Sequence, residues 1–164
     1  MTDNILHRTY KTILAITALL LLSTSAAFAE DTGSITLTGS VPEILKISIA
    51  EEKTDFDLTE VVSGSKVAEV REISNRRTGY RVELESANGS AFAHNEDGNI
   101  TLDYSLTYGG DEVTFSEGTA TISDVSDKTD ASGSSKDLSI SYSGEDHLTA
   151  GDYKDTLTFT IIGQ

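Results

Sequence analysis

The sequence predicts an all-β protein, an antiparallel β-sandwich, and three features carry that prediction. Apolar and polar residues alternate with a period of two in several short segments, of which 100–108 is the clearest. Turn-forming residues such as Gly109-Gly110-Asp111 separate these segments, so strands recur roughly every ten to fifteen residues. After the N-terminal region no segment holds a helical stripe longer than about two turns, and 61–73 is the one ambiguous stretch. We therefore expect an immunoglobulin-like sandwich, with a closed barrel as the structural alternative.

The N-terminal region has the organisation of a secretory signal. Basic residues precede an apolar run at 13–22, and Ala27-Phe28-Ala29 fits the small-x-small cleavage pattern. The run is shorter than the roughly 20 residues that a membrane-spanning helix needs, and no second run follows. We expect residues 1–29 to be removed, so that the exported chain begins near Glu30; an uncleaved anchor is the alternative.

Behind the signal, the alternation predicts a series of strands joined by polar turns. The predicted strands are 34–41, 43–49, 80–85, 100–108, 138–142 and 153–162. Pro42 separates the first two, because proline fixes φ and has no N–H to donate to a ladder. The polar and acidic stretch 123–136 is predicted to be a mobile loop.

Charge and the lack of cysteine exclude several classes of function. The chain has 27 acidic and 12 basic residues and a net charge of −15. Loss of Asp3, Arg8 and Lys11 with the signal leaves 26 acidic and 10 basic residues, or −16. Such a surface repels nucleic acid and anionic lipid, so we expect neither nucleic-acid binding nor direct membrane insertion. Without cysteine there is no disulfide, no thiolate metal site and no cysteine nucleophile.

No motif predicts catalysis, a cofactor or a metal site. There is no G-x-S-x-G elbow, and His94 and His147 stand alone near turns, where we expect them at the surface. Asp124, Asp127 and Asp130 are spaced by three residues and leave weak calcium binding open, although they do not match an EF-hand loop.

The tyrosines raise a second function, an aromatic sugar-binding platform on a sheet face. Tyr104 and Tyr108 share the phase of Leu102 and Leu106, and Tyr142 has the phase of its apolar neighbours, so we expect all three in the core. This phase argues against the platform. A self-contained secreted or periplasmic β-sandwich binding module, for example for a glycan, nevertheless remains the alternative function.

Three stretches together resemble chaperone-usher pilins, the subunits of fimbriae. They are 34–41 with Pro42 and the apolar strand after it, the mid-chain 104–110, and the ending 148–157 with its A-G-x-Y-x-D pattern. The closest types are the alpha-class colonization-factor pilins and the archaic, spore coat protein U-like pilins. The resemblance spans most of the chain after residue 29.

The resemblance implies an exported structural subunit, with an N-terminal extension at 30–42 and an incomplete immunoglobulin-like sandwich at 43–164. A donor strand from the next subunit completes the sandwich, Pro42 is the hinge, and a periplasmic chaperone and an outer-membrane usher are the assembly partners. The resemblance also implies that the subunit passes through the periplasm, is then placed on the cell surface or secreted, and contributes to adhesion. The implied donor residues are Ile35, Leu37, Gly39 and Val41; the implied groove residues are Tyr153, Leu157, Phe159 and Ile161, with the carboxylate of Gln164 as chaperone anchor.

The residues leave one structural alternative open, that 34–41 is simply the first strand of a complete sandwich. Burial of Ile35, Leu37 and Val41 would contribute about 5 to 9 kcal/mol. Ordering eight residues costs roughly 8 to 16 kcal/mol. A donated strand therefore needs a preformed groove that also pairs its main-chain groups.

Overall fold

The computed structural model describes residues 31–50 and 52–164. The chain divides into two units, Met1–Ser40 and Val41–Gln164. In the first unit the described residues, 31–40, are exposed and form no strand. The predicted signal lies outside the described residues.

The second unit is a sandwich of two antiparallel sheets. The large sheet has the strand order β1-β2-β8-β5-β4-β9, with β6 paired to β5, and the small sheet has the order β10-β3-β7. The strands are β1 (Leu45–Ala50), β2 (Val62–Ser74), β3 (Tyr80–Ser86), β4 (Ala91–His94), β5 (Thr101–Tyr108), β6 (Asp111–Glu112), β7 (Thr119–Val125), β8 (Ser134–Tyr142), β9 (Tyr153–Lys154) and β10 (Leu157–Gly163).

The core lies between the sheets and follows the period-two pattern. In β5 every second residue is buried, beginning with Leu102. Val70 of the large sheet and Leu84 of the small sheet are both fully buried within one apolar cluster. The predicted all-β, immunoglobulin-like antiparallel sandwich is confirmed, and two sheets with unpaired outer strands replace the closed barrel. Tyr104, Tyr108 and Tyr142 lie in the core, as their phase predicts.

Two element predictions need correction, and one ambiguous stretch is resolved. The ambiguous stretch 61–73 lies almost entirely in strand β2 (Val62–Ser74), the longest of the described strands. The predicted loop at 123–136 is shorter, because 123–125 belong to β7 and 134–136 to β8. Its remaining part is held to the body by the amide of Thr129, which donates to the carbonyl of Ser74 at 2.9 Å. The predicted strand 153–162 is two strands in different sheets, β9 and β10.

A buried carboxylate, not predicted from the sequence, joins the two sheets. Glu72 of β2 is fully buried, and its carboxylate accepts hydrogen bonds from Tyr80 of β3 at 2.8 Å and Tyr108 of β5 at 2.6 Å. Ser123 of β7 donates a third at 3.2 Å, and the ammonium of Lys136 lies 3.5 Å away. Burial and then the hydrogen bond to Glu72 raise the pKa of both tyrosines above their usual range. Four strands besides β2 thus converge on one charge.

Candidate strand-binding groove

One side of the sandwich presents two unpaired strand edges. Among the described strands β1 pairs only with β2, and β10 pairs only with β3, yet β1 and β10 lie next to each other. The opposite side is covered: beyond β6 the chain folds back, Ser116 bridges Thr119, and Val113 and Phe115 pack on the core. β1 and β10 are thus two outer strands, one from each sheet, that lie next to each other without pairing.

Register decides which main-chain groups face the opening from β10. The amide of Ala87 donates to the carbonyl of Thr156, and the amide of Gln164 donates to the carbonyl of Gly79. Both contacts involve even-numbered residues at the two ends of β10, and the direction of N–H and C=O groups alternates along a strand. The outward-facing groups of β10 are consequently those of Leu157, Phe159, Ile161 and Gly163.

The same reasoning applies to β1. The amide of Asn75 donates to the carbonyl of Ile44 at 3.1 Å, so even-numbered residues bond to β2. The outward-facing groups of β1 are those of Leu45, Ile47 and Ile49. The two edges therefore offer seven residues whose N–H and C=O groups have no partner in a described strand.

The side chains along these edges are only partly buried. In β3 the inward residues Val82 and Leu84 are completely buried. Their neighbours on β10, Ile161 and Phe159, are half-buried although they are in register with them. Ile49 of β1 is 40% exposed. Apolar side chains thus face the core along both edges without being covered by it.

A cavity of about 470 Å³ opens between the edges at one end. Ile49, Leu157, Phe159 and Tyr153 line it from the edge side, and core residues such as Leu106 form its floor. Phe56, from the segment after β1, lines it too and packs on Phe92 with ring centroids 5.8 Å apart. The cavity is an unfilled part of the core, and we call it together with the two edges the groove.

Arg76 closes the groove at its other end. Its guanidinium donates to the main-chain oxygen of Gln164 at 2.6 and 3.1 Å and pairs with Glu43, just before β1, at 2.8 Å. Thr78 also donates to that oxygen of Gln164. The start of β1 and the end of β10 are therefore tied together, while their other ends diverge around the cavity.

The chain enters the body at a fixed point. The side-chain amide of Asn75 donates to the carbonyl of Pro42 at 2.8 Å, and its oxygen accepts from the amide of Ile44 at 2.8 Å. Residues 42–44 are thus pinned to the body. Val41, the residue before Pro42, is 85% exposed.

The extension has the exposure expected of a segment without a partner. Ile35 and Leu37 are 85% and 87% exposed. No described atom lies within 4 Å of the position that a Cβ on Gly39 would take, and its φ is not in the left-handed region. Neither space nor backbone conformation in this copy therefore requires glycine there.

The A-G-x-Y-x-D ending lies where the chain crosses from the large sheet, at β9, to the small sheet, at β10. A Cβ on Gly151 would lie 2.1 Å from Nε2 of His94. Tyr153 stacks edge-on against the same imidazole at 5.0 Å. Asp155 accepts from Ser86 at 2.6 Å and from Tyr104, at the bend where the chain leaves β9 for β10. The expectation that His94 is a surface residue is wrong, since it is 6% exposed and packed beneath this ending.

The structure brings four of the sequence-predicted groove residues to one place. Tyr153, Leu157 and Phe159 line the cavity and Ile161 continues the β10 edge, although Tyr153 comes from a different sheet than expected. Sequence reasoning missed Ile49 and Phe56 of the groove and the Arg76 tie. The alternation in 43–49 was the available signal for Ile49, whereas Phe56 and Arg76 lie in loops without periodicity.

The described residues contain no helix long and apolar enough to cross a membrane. They also contain no group of three or more histidine, aspartate or glutamate side chains placed to hold a metal ion. Asp124, one of the calcium candidates, instead accepts a hydrogen bond from the side chain of Gln164 at 2.6 Å.

No protein-family model and no curated protein matches this chain. Among solved structures, the Salmonella SafD adhesin is similar with 18% identity and a TM-score of 0.40, over 74% of this chain and 97% of that one. The E. coli Hda pilus minor tip subunit HdaB is similar with 17% identity and a TM-score of 0.38, over 74% of this chain and 84% of that one. The assignment of the fold rests on the strands and their pairing, and the candidate site rests on the groove.

Proposed function

We propose that this protein is the structural subunit of a fimbria-like surface fibre that polymerises by donor-strand exchange. In this proposal residues 34–41 of one copy occupy the groove of the next, with Ile35, Leu37, Gly39 and Val41 facing the core. The fibre contributes to adhesion. The observation that carries the proposal is the groove: two unpaired edges flank an unfilled part of the core.

The groove is matched to a strand in two respects. Its outward residues offer N–H and C=O groups on both sides, so an inserted strand would pair on both of its edges. Its cavity is lined mainly by apolar side chains, and the extension supplies apolar side chains at alternate positions. If about half of the groups of the seven outward residues are paired, hydrogen bonds add roughly 4 to 10 kcal/mol. Together with side-chain burial this offsets the ordering cost of the strand.

An assembly pathway follows from the unpaired edges. A subunit with an open groove exposes strand edges that aggregate when unprotected. A periplasmic chaperone that occupies the groove until the next copy arrives would prevent this, and an outer-membrane usher would deliver the fibre to the surface. The tie between Arg76 and the main-chain oxygen of Gln164 is the contact with which a chaperone anchored at Gln164 would compete.

The proposal is tested by supplying the strand within one chain. In the variant, residues 30–42 are removed and a copy of 34–42 follows Gln164 through a flexible linker, and it is compared with the chain from residue 30. We expect the variant to be a monomer that unfolds cooperatively at a clearly higher temperature, while the natural order is polymeric or less stable. Size-exclusion chromatography and thermal unfolding by circular dichroism measure both properties.

The matched control carries serine at the three apolar positions of the transplanted strand, Ile35, Leu37 and Val41. It has the same length and linker, so only burial in the groove distinguishes it. A natural chain that is already a stable monomer, and that the transplant does not stabilise relative to this control, contradicts donor-strand exchange.

The glycan-binding alternative has no comparable support. Of the described aromatic residues none is exposed, since the tyrosines considered for a platform lie in the core or beside the cavity. A stable natural monomer in the preceding experiment would favour that alternative.

A further inference from the structure

The two ends of the sandwich are separated by the length of strand β2. Val62, where β2 begins, pairs with Tyr142, and Ser74, where it ends, pairs with Leu45. Thirteen residues of strand span roughly 40 Å. We name the loops beyond Ser74, 42–44 and 75–79, the exit end, because the extension leaves there, and the loops before Val62, 52–60 and 143–146, the acidic end.

The acidic end carries six exposed carboxylates that have no ion-pair partner among the described residues. Its two segments touch, since the amide of Glu145 donates to the carbonyl of Leu58 at 3.0 Å. Lys53 is the only cation in these segments, and its ammonium lies over the ring of Phe56. The carboxylates are exposed and make no ion pair with any described residue; they are Glu52, Asp55, Asp57, Glu60, Glu145 and Asp146.

The exit end carries a cation with no partner. Arg76 is engaged by Glu43 and Gln164, but the next residue, Arg77, is exposed and makes no hydrogen bond or ion pair with any described residue. It lies in the turn that follows Asn75, the residue that pins the start of the body at Pro42. In a chain with a net charge of −15 this leaves an unpaired positive charge beside the point where the extension departs.

The connection between a donated strand and its own body has no spacer. Val41 is the last apolar position of the strand, and the carbonyl of Pro42 is already bound by Asn75. If 34–41 fills the groove of another copy, the exit end of the donor must therefore abut the acceptor. This step rests on the proposed function.

The groups already present at the exit end decide which end of the acceptor contacts the body of the donor. At the exit end Arg76 already ties Glu43 to Gln164, and the acceptor's own chain joins its body at Pro42, so we take the donated strand to connect to its body at the other end of the groove. The donated strand must then run with Val41 toward the cavity, antiparallel to β10. At that end Glu52 lines the cavity and the acidic end begins.

Two exposed apolar side chains mark the same pair of surfaces. Ile44 at the exit end is 46% exposed, and Val61, adjoining the acidic end, is 76% exposed. A contact between copies would cover both. We propose that the turn bearing Arg77 in one copy docks on the acidic end of the next copy, so that this body-to-body contact accompanies strand exchange and orients successive subunits head to tail.

The test compares charge reversals in the chain from residue 30. Polymer growth is followed by light scattering at low salt, about 0.05 M, for R77E and for R81E. Arg81 is an exposed arginine on β3 that pairs with Glu83 at 3.0 Å, so its reversal changes the net charge by the same amount outside the docking surface. We expect R77E to grow about tenfold more slowly and R81E to grow like the parent. At about 0.5 M salt the difference should disappear, because the charges are screened.

Rescue and a donor-strand control complete the design. Adding E60R and E145R to R77E exchanges the two charges of the contact and should restore growth. Failure of this rescue, or equal slowing by R77E and R81E, overturns the docking contact. The variant L37D should block growth; if it does while R77E does not, strand exchange stands and the docking contact is wrong. Growth of L37D at the parental rate contradicts the proposed function itself.

Discussion

Replacement of Glu72 by alanine should show how much stability one buried charge contributes to the junction of the two sheets. The substitution removes the acceptor of hydrogen bonds from Tyr80, Tyr108 and Ser123. It also leaves the two tyrosine hydroxyls in a site where Glu72 itself is 0% exposed. Each hydrogen bond to a charged group contributes about 1.5 to 3 kcal/mol. Breaking such a buried network costs about 3 to 5 kcal/mol.

Urea unfolding followed by circular dichroism measures this loss as a shift of the midpoint at constant slope. Y108F in the parent should cost about 1 to 3 kcal/mol, because it leaves one carboxylate oxygen of Glu72 with a lost donor. In the E72A background the same change should cost much less, since the hydroxyl no longer has its partner, so the coupling energy of the cycle should exceed roughly 1 kcal/mol. E72A within 1 kcal/mol of the parent, or a coupling energy near zero, would refute the argument that the carboxylate joins the sheets.

Three further predictions follow from the same network and from the C-terminal motif. The pKa values of Tyr80 and Tyr108 are raised in the folded state, so their contribution to stability is complete below the unfolded value of about 10 and is lost as the pH rises beyond it. The free energy of unfolding should therefore fall at alkaline pH, and it should fall less steeply in Y108F. Parallel plots of this free energy against pH for the parent and Y108F would contradict the argument. G151A should lower the melting temperature by several degrees, because the added methyl meets the ring of His94, and a variant that melts like the parent would show that the loop yields freely. D155A should destabilise by about 2 to 4 kcal/mol by removing the acceptor at the bend between β9 and β10, with D155N intermediate; equal stability of all three chains would rule out that role.

Much of the fold could be predicted from local pattern. In β5 and β3 the alternating residues predict both the strand and its buried face, because a strand between a core and water needs one apolar side and one polar side. The pattern failed in β2, whose two register shifts blur the alternation until it looks partly helical. The pattern was also misleading at Asp155. Apolar residues alternate on both sides of it, but the chain changes sheet there, and alternation alone cannot show such a change.

The candidate site was predictable in part for the same reason. Leu157, Phe159 and Ile161 share one face of a strand, which the sequence states directly. The sequence does not show that this strand lies at the edge of its sheet or that β1 is its neighbour across the opening. Both facts depend on which strands pair over long separations in the chain. Arg76 and Phe56 enter the groove from loops, where no periodic constraint relates residue number to direction.

Residue order along this chain was enough to establish its β class, the alternating extension, the acidic charge and the absence of any thiol chemistry, because each depends on composition or on neighbours a few positions apart. The opening between β1 and β10, the charge difference between the two ends of β2 and the burial of Glu72 emerged only from the folded arrangement. These features join residues that are distant in the chain, and the hydrophobic pattern that specifies a strand's inner face does not specify its partner. Long-range pairing, set by packing of the whole core, supplies that information.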